Sequence, residues 1–198
     1  MKISSFAIHA LDHTADNREE GLKVAAQMGI ETVEFFNSEL NQKSLKELKA
    51  FVNKEGIDIC TLIIVSNFPY RQVDRYEEEK AKIKELISEA ENAGVPMVMI
   101  VPMADYVRTD EDKIFLRDRI VEGMQEFVDY AKDMKVTVTM ENFSRVDFPY
   151  STIEEMEYLI DNVKGLKLTF DAGNFYCVYV DIIEAYERLK EHIVNVHM

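Results

Sequence analysis

The sequence has few of the residues that secreted or membrane-spanning proteins need. Only two of its 198 residues are cysteine, Cys60 and Cys177, which is too few for a disulfide framework and fits reduced thiols in a cytoplasmic protein. No run approaches the ~20 apolar residues of a membrane span. Near the start of the chain, Ser4, Ser5 and Asp12 interrupt any signal-peptide core. We therefore expect a cytoplasmic protein with no membrane partner.

Positive charge is also scarce. The chain has 23 lysine and arginine residues against 37 aspartate and glutamate residues, which gives a formal charge of −14. Non-specific binding to a phosphate backbone depends on clustered lysine and arginine side chains, so this charge opposes it. We expect no nucleic-acid partner.

Apolar, β-branched segments alternate with amphipathic segments from one end of the chain to the other. This alternation predicts a parallel sheet covered by helices, because parallel strands are joined by long crossover connections. The seven predicted strands are Lys2–Ile8, Thr32–Phe36, Asp58–Val65, Met97–Val101, Val136–Met140, Leu166–Phe170 and Ile193–His197. The six predicted helices lie near residues 16–28, 44–54, 74–92, 110–134, 152–162 and 181–190.

Local signals mark several of the helix ends. Residues 44–47 read SLKE and residues 151–154 read STIE, and both patterns predict capping boxes. Glycine is expected where a helix ends in the left-handed conformation. The positions that fit are Gly29, Gly56, Gly94 and Gly165.

Two architectures fit the alternation: a doubly wound open sheet and a (β/α) barrel. An open sheet usually has a glycine-rich turn after its first strand, whereas here no glycine occurs before Gly21. A closed barrel has eight strands and typically ~250 residues, and this sequence predicts seven strands. We therefore predict one α/β domain over residues 1–198, a (β/α) TIM-type barrel that stops after its seventh strand.

Side chains that can bind a metal end the last three predicted strands. Glu141, Asp171 and His197 share the parity of residues that point into a barrel. Any one of them alone is more simply a helix cap or a partner of a lysine, but their common register favours a shared site. Two adjacent buried carboxylates are costly unless a cation neutralises them. Two carboxylates and an imidazole suit Mn²⁺, Mg²⁺, Co²⁺ or Zn²⁺, so a divalent metal is the expected cofactor.

Three segments carry a resemblance to a known family. TVTMENF, LTFDAGNF and HIVNVHM, in this order, resemble the sugar phosphate isomerase/epimerase family with the xylose isomerase-like barrel, and GIETVEFF fits its second strand. The resemblance extends over essentially the whole chain. It implies that Glu141, Asp171 and His197 are three of four metal ligands. The family's fourth ligand is a glutamate at the end of strand eight, so the resemblance also implies that this chain ends inside the barrel.

The resemblance implies an isomerase or epimerase that acts on a sugar or another α-hydroxy carbonyl compound. Such a reaction removes a carbon-bound proton and forms an enediolate, whose charge a cation neutralises. Glu141 is the candidate for both metal ligand and catalytic base. Asn174 stands where the family motif usually has histidine. An amide can bind a substrate hydroxyl, but it cannot shuttle a proton at neutral pH.

Two further residues are candidates for substrate binding. Glu34 has inward parity in the second predicted strand, and His9 follows the first. Glu34 is equally well explained as a buried carboxylate with a basic partner, and a buried, hydrogen-bonded side chain is the simpler explanation for His9. Whether the sugar carries a phosphate stays open, because no glycine-rich loop or arginine pair marks a phosphate site. The arginines in loops at the carboxyl end of the strands are Arg71, Arg75, Arg108 and Arg145.

Two other functions fit parts of the sequence. Metal-dependent endonucleases that act at abasic DNA sites share the superfamily, but they need more histidine and acidic ligands and a basic surface, and this chain has only four histidines. The other alternative is a catalytically impaired barrel fragment that binds a ligand or a metal. An exposed edge at Ile193–His197 would favour pairing with a second copy, which makes a homo-oligomer an option.

Overall fold

Seven parallel strands form one sheet in chain order. The computed structural model describes residues 4–7, 17–41 and 43–197. The strands are β1 (Ser4–Ala7), β2 (Thr32–Phe36), β3 (Asp58–Ser66), β4 (Met97–Pro102), β5 (Thr137–Glu141), β6 (Lys167–Asp171) and β7 (Ile193–His197). The α-helices in the described ranges are α1 (Arg18–Gln27), α2 (Leu45–Val52), α3 (Val73–Ala93), α4 (Asp110–Ala131), α5 (Ile153–Asn162), α6 (Ala172–Cys177) and α7 (Ile182–Leu189). The predicted (β/α) barrel fold is therefore confirmed.

The strand positions agree closely with those predicted from sequence. β2 and β7 have the predicted bounds, and β3 to β6 differ from them by one residue at one or both ends. β1 covers Ser4–Ala7 of the predicted segment Lys2–Ile8, and residues 2, 3 and 8 of that segment lie outside the described ranges. Short apolar runs bounded by turns and amphipathic helices are therefore sufficient to locate these strands.

The strands are staggered relative to one another. Asp171 at the end of β6 pairs with His197 of β7, whereas Glu141 at the end of β5 pairs with Thr169, two residues before Asp171. A stagger of this kind follows from the tilt of strands in a barrel. Because all seven strands run in the same direction, their carboxyl ends meet at one end of the barrel, where active sites of this fold lie.

Most helix ends follow the predicted local signals. Ser44 and Glu47 form the predicted capping box of α2, and the four glycines expected at helix ends all have positive φ. The second predicted box is one residue off, since Thr152 caps α5 and Glu155 completes the box. The reason is that the Ser151 hydroxyl is buried and donates to loop carbonyls instead.

The helix α6 has no counterpart in the sequence prediction. It has six residues, which is too short to show a helical period in the sequence. The Asp171 side chain caps it by accepting a hydrogen bond from the backbone N–H of Asn174 at 2.7 Å. None of the helices in the described part of the chain is long and apolar enough to cross a membrane.

The main hydrophobic core lies between the outer face of the sheet and the helices. Met140 of β5 and Leu168 and Phe170 of β6 are buried there, as their parity predicts. The outer face of β7 differs from this expectation, because Val194 and Val196 are 45% and 49% exposed. β7 is an edge strand of the described sheet, which leaves its outer face only partly covered.

The inner face of the sheet is divided into an apolar and a polar side. Ile63, Met99 and Val101 of β3 and β4 form a small apolar cluster. Thr139 of β5 and Thr169 of β6 are fully buried, and their hydroxyl oxygens lie 3.1 Å apart. The polar side of the inner face thus lies on β5 and β6, the strands that end in Glu141 and Asp171.

Gly123 in α4 allows a close approach between that helix and the loop after β3. A Cβ at this position would lie 2.5 Å from Cε2 of Phe68, a ring that is fully buried and packs edge-on against Phe127.

Gly123→Ala gains ~1 kcal/mol of helix propensity, but overpacking a core costs about 1–3 kcal/mol. We expect a net loss of stability in urea denaturation. The control is Phe68→Leu, a background in which the added methyl group should cost less; a neutral or stabilising Gly123→Ala would contradict the packing argument.

Candidate metal centre

Three neighbouring strands bring their last polar side chains together at the carboxyl end of the barrel. Glu141 ends β5, Asp171 ends β6 and His197 ends β7. One ligand atom from each residue lies within 4.8 Å of the other two. The convergence predicted for these three residues is therefore present in the fold.

The two nitrogens of the His197 ring face different partners. Nδ1 makes a short contact with Oε1 of Glu141 and lies 3.8 Å from Oδ2 of Asp171. Nε2 lies 3.0 Å from Oε2 of Glu34. Nδ1 therefore faces the carboxylates of Glu141 and Asp171, and Nε2 faces Glu34 in the interior of the barrel.

Burial controls the electrostatics of this cluster. The side chains of Glu141, Asp171 and His197 are only 13%, 17% and 14% exposed. Burial raises the pKa of Glu141, with the neighbouring charge of Asp171 adding to it and His197 opposing it. For His197, burial lowers the pKa, but hydrogen bonds to Glu141 and Glu34 outweigh that effect and raise the pKa to about 10. With a pKa raised in this way, the imidazole of His197 would be protonated at neutral pH and would balance part of the buried negative charge.

The donor set fits a divalent cation. Two carboxylates and one imidazole nitrogen are hard and intermediate ligands of the kind that Mn²⁺, Mg²⁺, Co²⁺ and Zn²⁺ accept. The carboxylates lie close enough together that a positive charge between them removes their mutual repulsion. Metal binding would replace the proton at Nδ1 of His197, since a coordinating imidazole is neutral.

Asn142 supports the site and was not singled out as a site residue from the sequence. It is 1% exposed, its Nδ2 donates to the backbone oxygen of Asp171 at 2.9 Å, and its Oδ1 accepts from the backbone N–H of Asp171 at 2.8 Å. This pair of bonds joins the ends of β5 and β6 and sets the position of Asp171. The available signal was the Glu-Asn dipeptide at the end of the fifth strand.

The residues predicted to bind substrate lie in different environments. Asn174 is partly buried beside the metal centre, and its Nδ2 donates to the backbone oxygen of Asn142 at 2.8 Å. Glu34 is buried, and its contacts are with protein groups. His9 lies outside the described residues. The substrate-binding roles of all three stay predictions.

Two of the four loop arginines that could have marked a phosphate site are paired with carboxylates. Arg71 forms an ion pair with Asp112 and stacks on the rings of Tyr106 and Phe115, with its Cζ 4.7 and 4.6 Å from the ring centroids. Arg145 makes hydrogen bonds to Asp147. Their charges are thus already balanced by acidic partners.

Removing any one of the three ligands should weaken metal binding. We expect Glu141→Gln, Asp171→Asn and His197→Asn each to reduce the affinity for Mn²⁺ by at least about tenfold, as even outer-shell changes do in metal sites. Isothermal titration calorimetry measures this effect. Glu187→Gln, an exposed carboxylate that pairs with Lys190, is the matched control. Equal affinities for control and ligand variants would rule out this site.

Loss of the Asn142 side chain should destabilise the fold and the site together. Asn142→Ala leaves the N–H and the carbonyl of Asp171 without their partners, at a cost of about 1–3 kcal/mol for a buried unsatisfied group. Asn162→Ala is the control, because it removes an exposed amide whose Nδ2 donates to Tyr158 at 2.7 Å. Chemical denaturation compares the two variants, and equal stability losses would contradict the bridging role.

Comparison with known proteins places this geometry in context. The family model described as xylose isomerase-like TIM barrel matches residues 22–198. No curated protein matches the chain in sequence. Among solved structures, the fold is similar to D-psicose 3-epimerase from Clostridium cellulolyticum H10, solved with D-tagatose, with a TM-score of 0.82, 19% identity, and coverage of 100% of this chain and 72% of that one.

Two other solved structures show how widely this fold is used. The IolI protein with a bound zinc atom has a TM-score of 0.75 at 19% identity, and the match covers 94% of this chain and 68% of the IolI chain. The probable 3-DHS dehydratase AsbF from Bacillus anthracis has a TM-score of 0.74 at 14% identity, and the match covers 100% of this chain and 73% of the AsbF chain. At these identities the likeness shows the fold. From the family match, the chain belongs to the xylose isomerase-like TIM barrel family.

Proposed function

We propose that this protein is a divalent-metal-dependent isomerase or epimerase of a sugar or another α-hydroxy carbonyl compound. The observation that carries the proposal is the meeting of Glu141, Asp171 and His197, with one ligand atom from each within 4.8 Å of the others. The similar structure of D-psicose 3-epimerase, which was solved with D-tagatose, supports the substrate class. The neighbour with a bound zinc atom supports the cofactor class.

Glu141 is the residue that we assign to proton transfer. Burial raises its pKa, and a base or acid works best when its pKa is close to the working pH. In the proposed reaction, the Glu141 carboxylate removes the proton from the carbon that bears the hydroxyl group. The same carboxyl group then holds that proton and returns it to the neighbouring carbon of the enediolate, which completes an isomerisation, whereas an epimerisation needs a second proton donor on the opposite face.

The other residues of the site bind and orient. Asp171 and His197 would hold the cation together with Glu141, and a bound cation would supply positive charge that neutralises the charge of the enediolate. Asn142 keeps Asp171 in place through its two backbone hydrogen bonds. Asn174 is the proposed contact for a substrate hydroxyl, because its amide lies beside the centre and can both donate and accept.

The barrel interior supports a small organic substrate. The apolar cluster of Ile63, Met99 and Val101 is lined by Phe36 and Phe143, and Phe143 follows directly after the end of β5 and Asn142. A polar side with a charged centre and an apolar side are the usual components of a small-molecule site. The charge of −14 further supports an enzyme that does not bind nucleic acid.

Proton exchange with solvent tests this proposal. With Mn²⁺ in deuterated water, we expect incorporation of solvent deuterium into a ketose such as D-fructose, D-tagatose, D-psicose or L-ribulose. Mass spectrometry and NMR measure this incorporation. Glu141→Gln should abolish incorporation because it removes the base, and Glu187→Gln should not change it. Metal binding without exchange from any of these ketoses would instead favour a binding protein without catalysis.

A further inference from the structure

Glu34 is the most deeply buried carboxylate near the metal centre. It lies in the middle of β2, across the barrel from the strands that supply the ligands, and the residue is 1% exposed. An ionised carboxylate in such a position is unfavourable unless a cationic group and hydrogen bonds compensate for lost hydration. Among the described residues, the basic side chain that pairs with Glu34 is His197, at 3.0 Å.

Each oxygen of Glu34 has its own partners. Oε1 accepts from the hydroxyl of Thr61 at 3.2 Å and from Nδ2 of Asn195 at 3.1 Å. Oε2 faces Nε2 of His197. Thr61 is fully buried, so these contacts hold the carboxylate in one orientation and leave Oε2 directed at the imidazole.

Backbone irregularities place both donors to Oε1. Between β2 and β3 the register shifts so that Glu34 pairs with Thr61, and Cys60 is the extra residue. Between β6 and β7 it shifts so that Thr169 pairs with Asn195, and Val194 is the extra residue. Bulges of this kind redirect the side chains that follow them and are common next to active sites. Two separate bulges thus each precede a side chain that binds the same carboxylate.

We infer that Glu34 is a positioning residue for His197, holding the imidazole through Nε2 so that Nδ1 is the nitrogen that binds the cation. The inference rests on the proposed metal site and deepens it. The hydrogen bond at one ring nitrogen decides which nitrogen is left for a metal, and a carboxylate in that role also makes the imidazole a stronger ligand. Here Nε2 lies 3.0 Å from Oε2 of Glu34, a carboxylate oxygen that can only accept, while Nδ1 faces Glu141 and Asp171.

This role differs from the substrate contact expected from sequence. The side chain of Glu34 is 2% exposed, and both of its oxygens bind protein groups. A substrate hydroxyl could reach it only by displacing Thr61, Asn195 or His197. The arrangement therefore suits a residue that acts through His197.

The test measures zinc binding by the full 198-residue chain. Glu34→Gln keeps the shape of the side chain but removes its charge, and we expect the affinity for Zn²⁺ to fall by about ten- to a hundredfold in calorimetric titration. Glu187→Gln is the control for loss of an exposed carboxylate. Thr61→Val removes one donor to Oε1 while conserving the shape of the side chain, and should give a smaller loss in the same direction.

A second readout separates positioning from stability. In ¹⁵N-labelled protein loaded with Zn²⁺, NMR should show His197 bound through Nδ1 and protonated at Nε2, with the signal identified by its loss in His197→Asn. In Glu34→Gln we expect this single tautomeric form to be lost or mixed. A role limited to stability would lower resistance to urea without moving the His197 nitrogen signals.

The outcomes distinguish this inference from the proposed function. If the unmodified chain binds no Zn²⁺, the proposed metal site and the inference both fail. If it binds Zn²⁺ and Glu34→Gln binds equally well with the same His197 tautomer, the metal site stands and the positioning role is overturned. Should Glu34→Gln not fold, Thr61→Val decides, because an unchanged zinc affinity and His197 spectrum in that variant would also overturn it.

Discussion

The concentration of buried carboxylates around one imidazole is the constraint on which this site depends. Glu34, Glu141 and Asp171 all approach the ring of His197, and all are removed from most of the solvent. Carboxylates in such a position repel one another and lose their hydration, so they need a positive charge among them. A protonated His197 would meet part of this need, and a divalent cation would meet it more fully. The chemistry proposed for the site follows from the same requirement.

The barrel satisfies this constraint through its register. Neighbouring strands are staggered. Asp171 pairs with His197, whereas Glu141 pairs with Thr169, which lies two residues before Asp171. Asn142 then ties the ends of β5 and β6 together through the backbone of Asp171. The three candidate ligands are therefore held by strands and by buried hydrogen bonds, which position a site more accurately than flexible loops do.

The division of the barrel interior gives the site its surroundings. The apolar cluster on β3 and β4 lines one side, and on the other side the buried hydroxyl groups of Thr139 and Thr169 lie within hydrogen-bond distance of each other. In a water-poor interior, electrostatic interactions are stronger than at the surface. Burial raises the pKa of Glu141, and the proton transfer proposed for this residue depends on that property.

Much of this architecture could be predicted from the sequence. The alternation of apolar runs and amphipathic segments located the strands to within about one residue for β2 to β7, since short β-branched runs between amphipathic helical segments are typical of buried parallel strands. Parity along β5, β6 and β7 identified Glu141, Asp171 and His197 as inward-facing. Local rules were less reliable where tertiary contacts competed with them. Ser151 had the right neighbours for a cap, but a buried hydrogen bond to the loop removed it from that role.

What only the tertiary structure decided was how residues distant in sequence meet. Side-chain parity is a property of a single strand, so the sequence alone determined which side chains point inward on β5, β6 and β7. The bulges at Cys60 and Val194, the stagger between strands, and the approach of Glu34 to Nε2 of His197 depend on how separate strands pair and curve. Those features arise from packing across the barrel, between residues separated by more than 160 positions in the case of Glu34 and His197. No local pattern in the chain encodes such a contact.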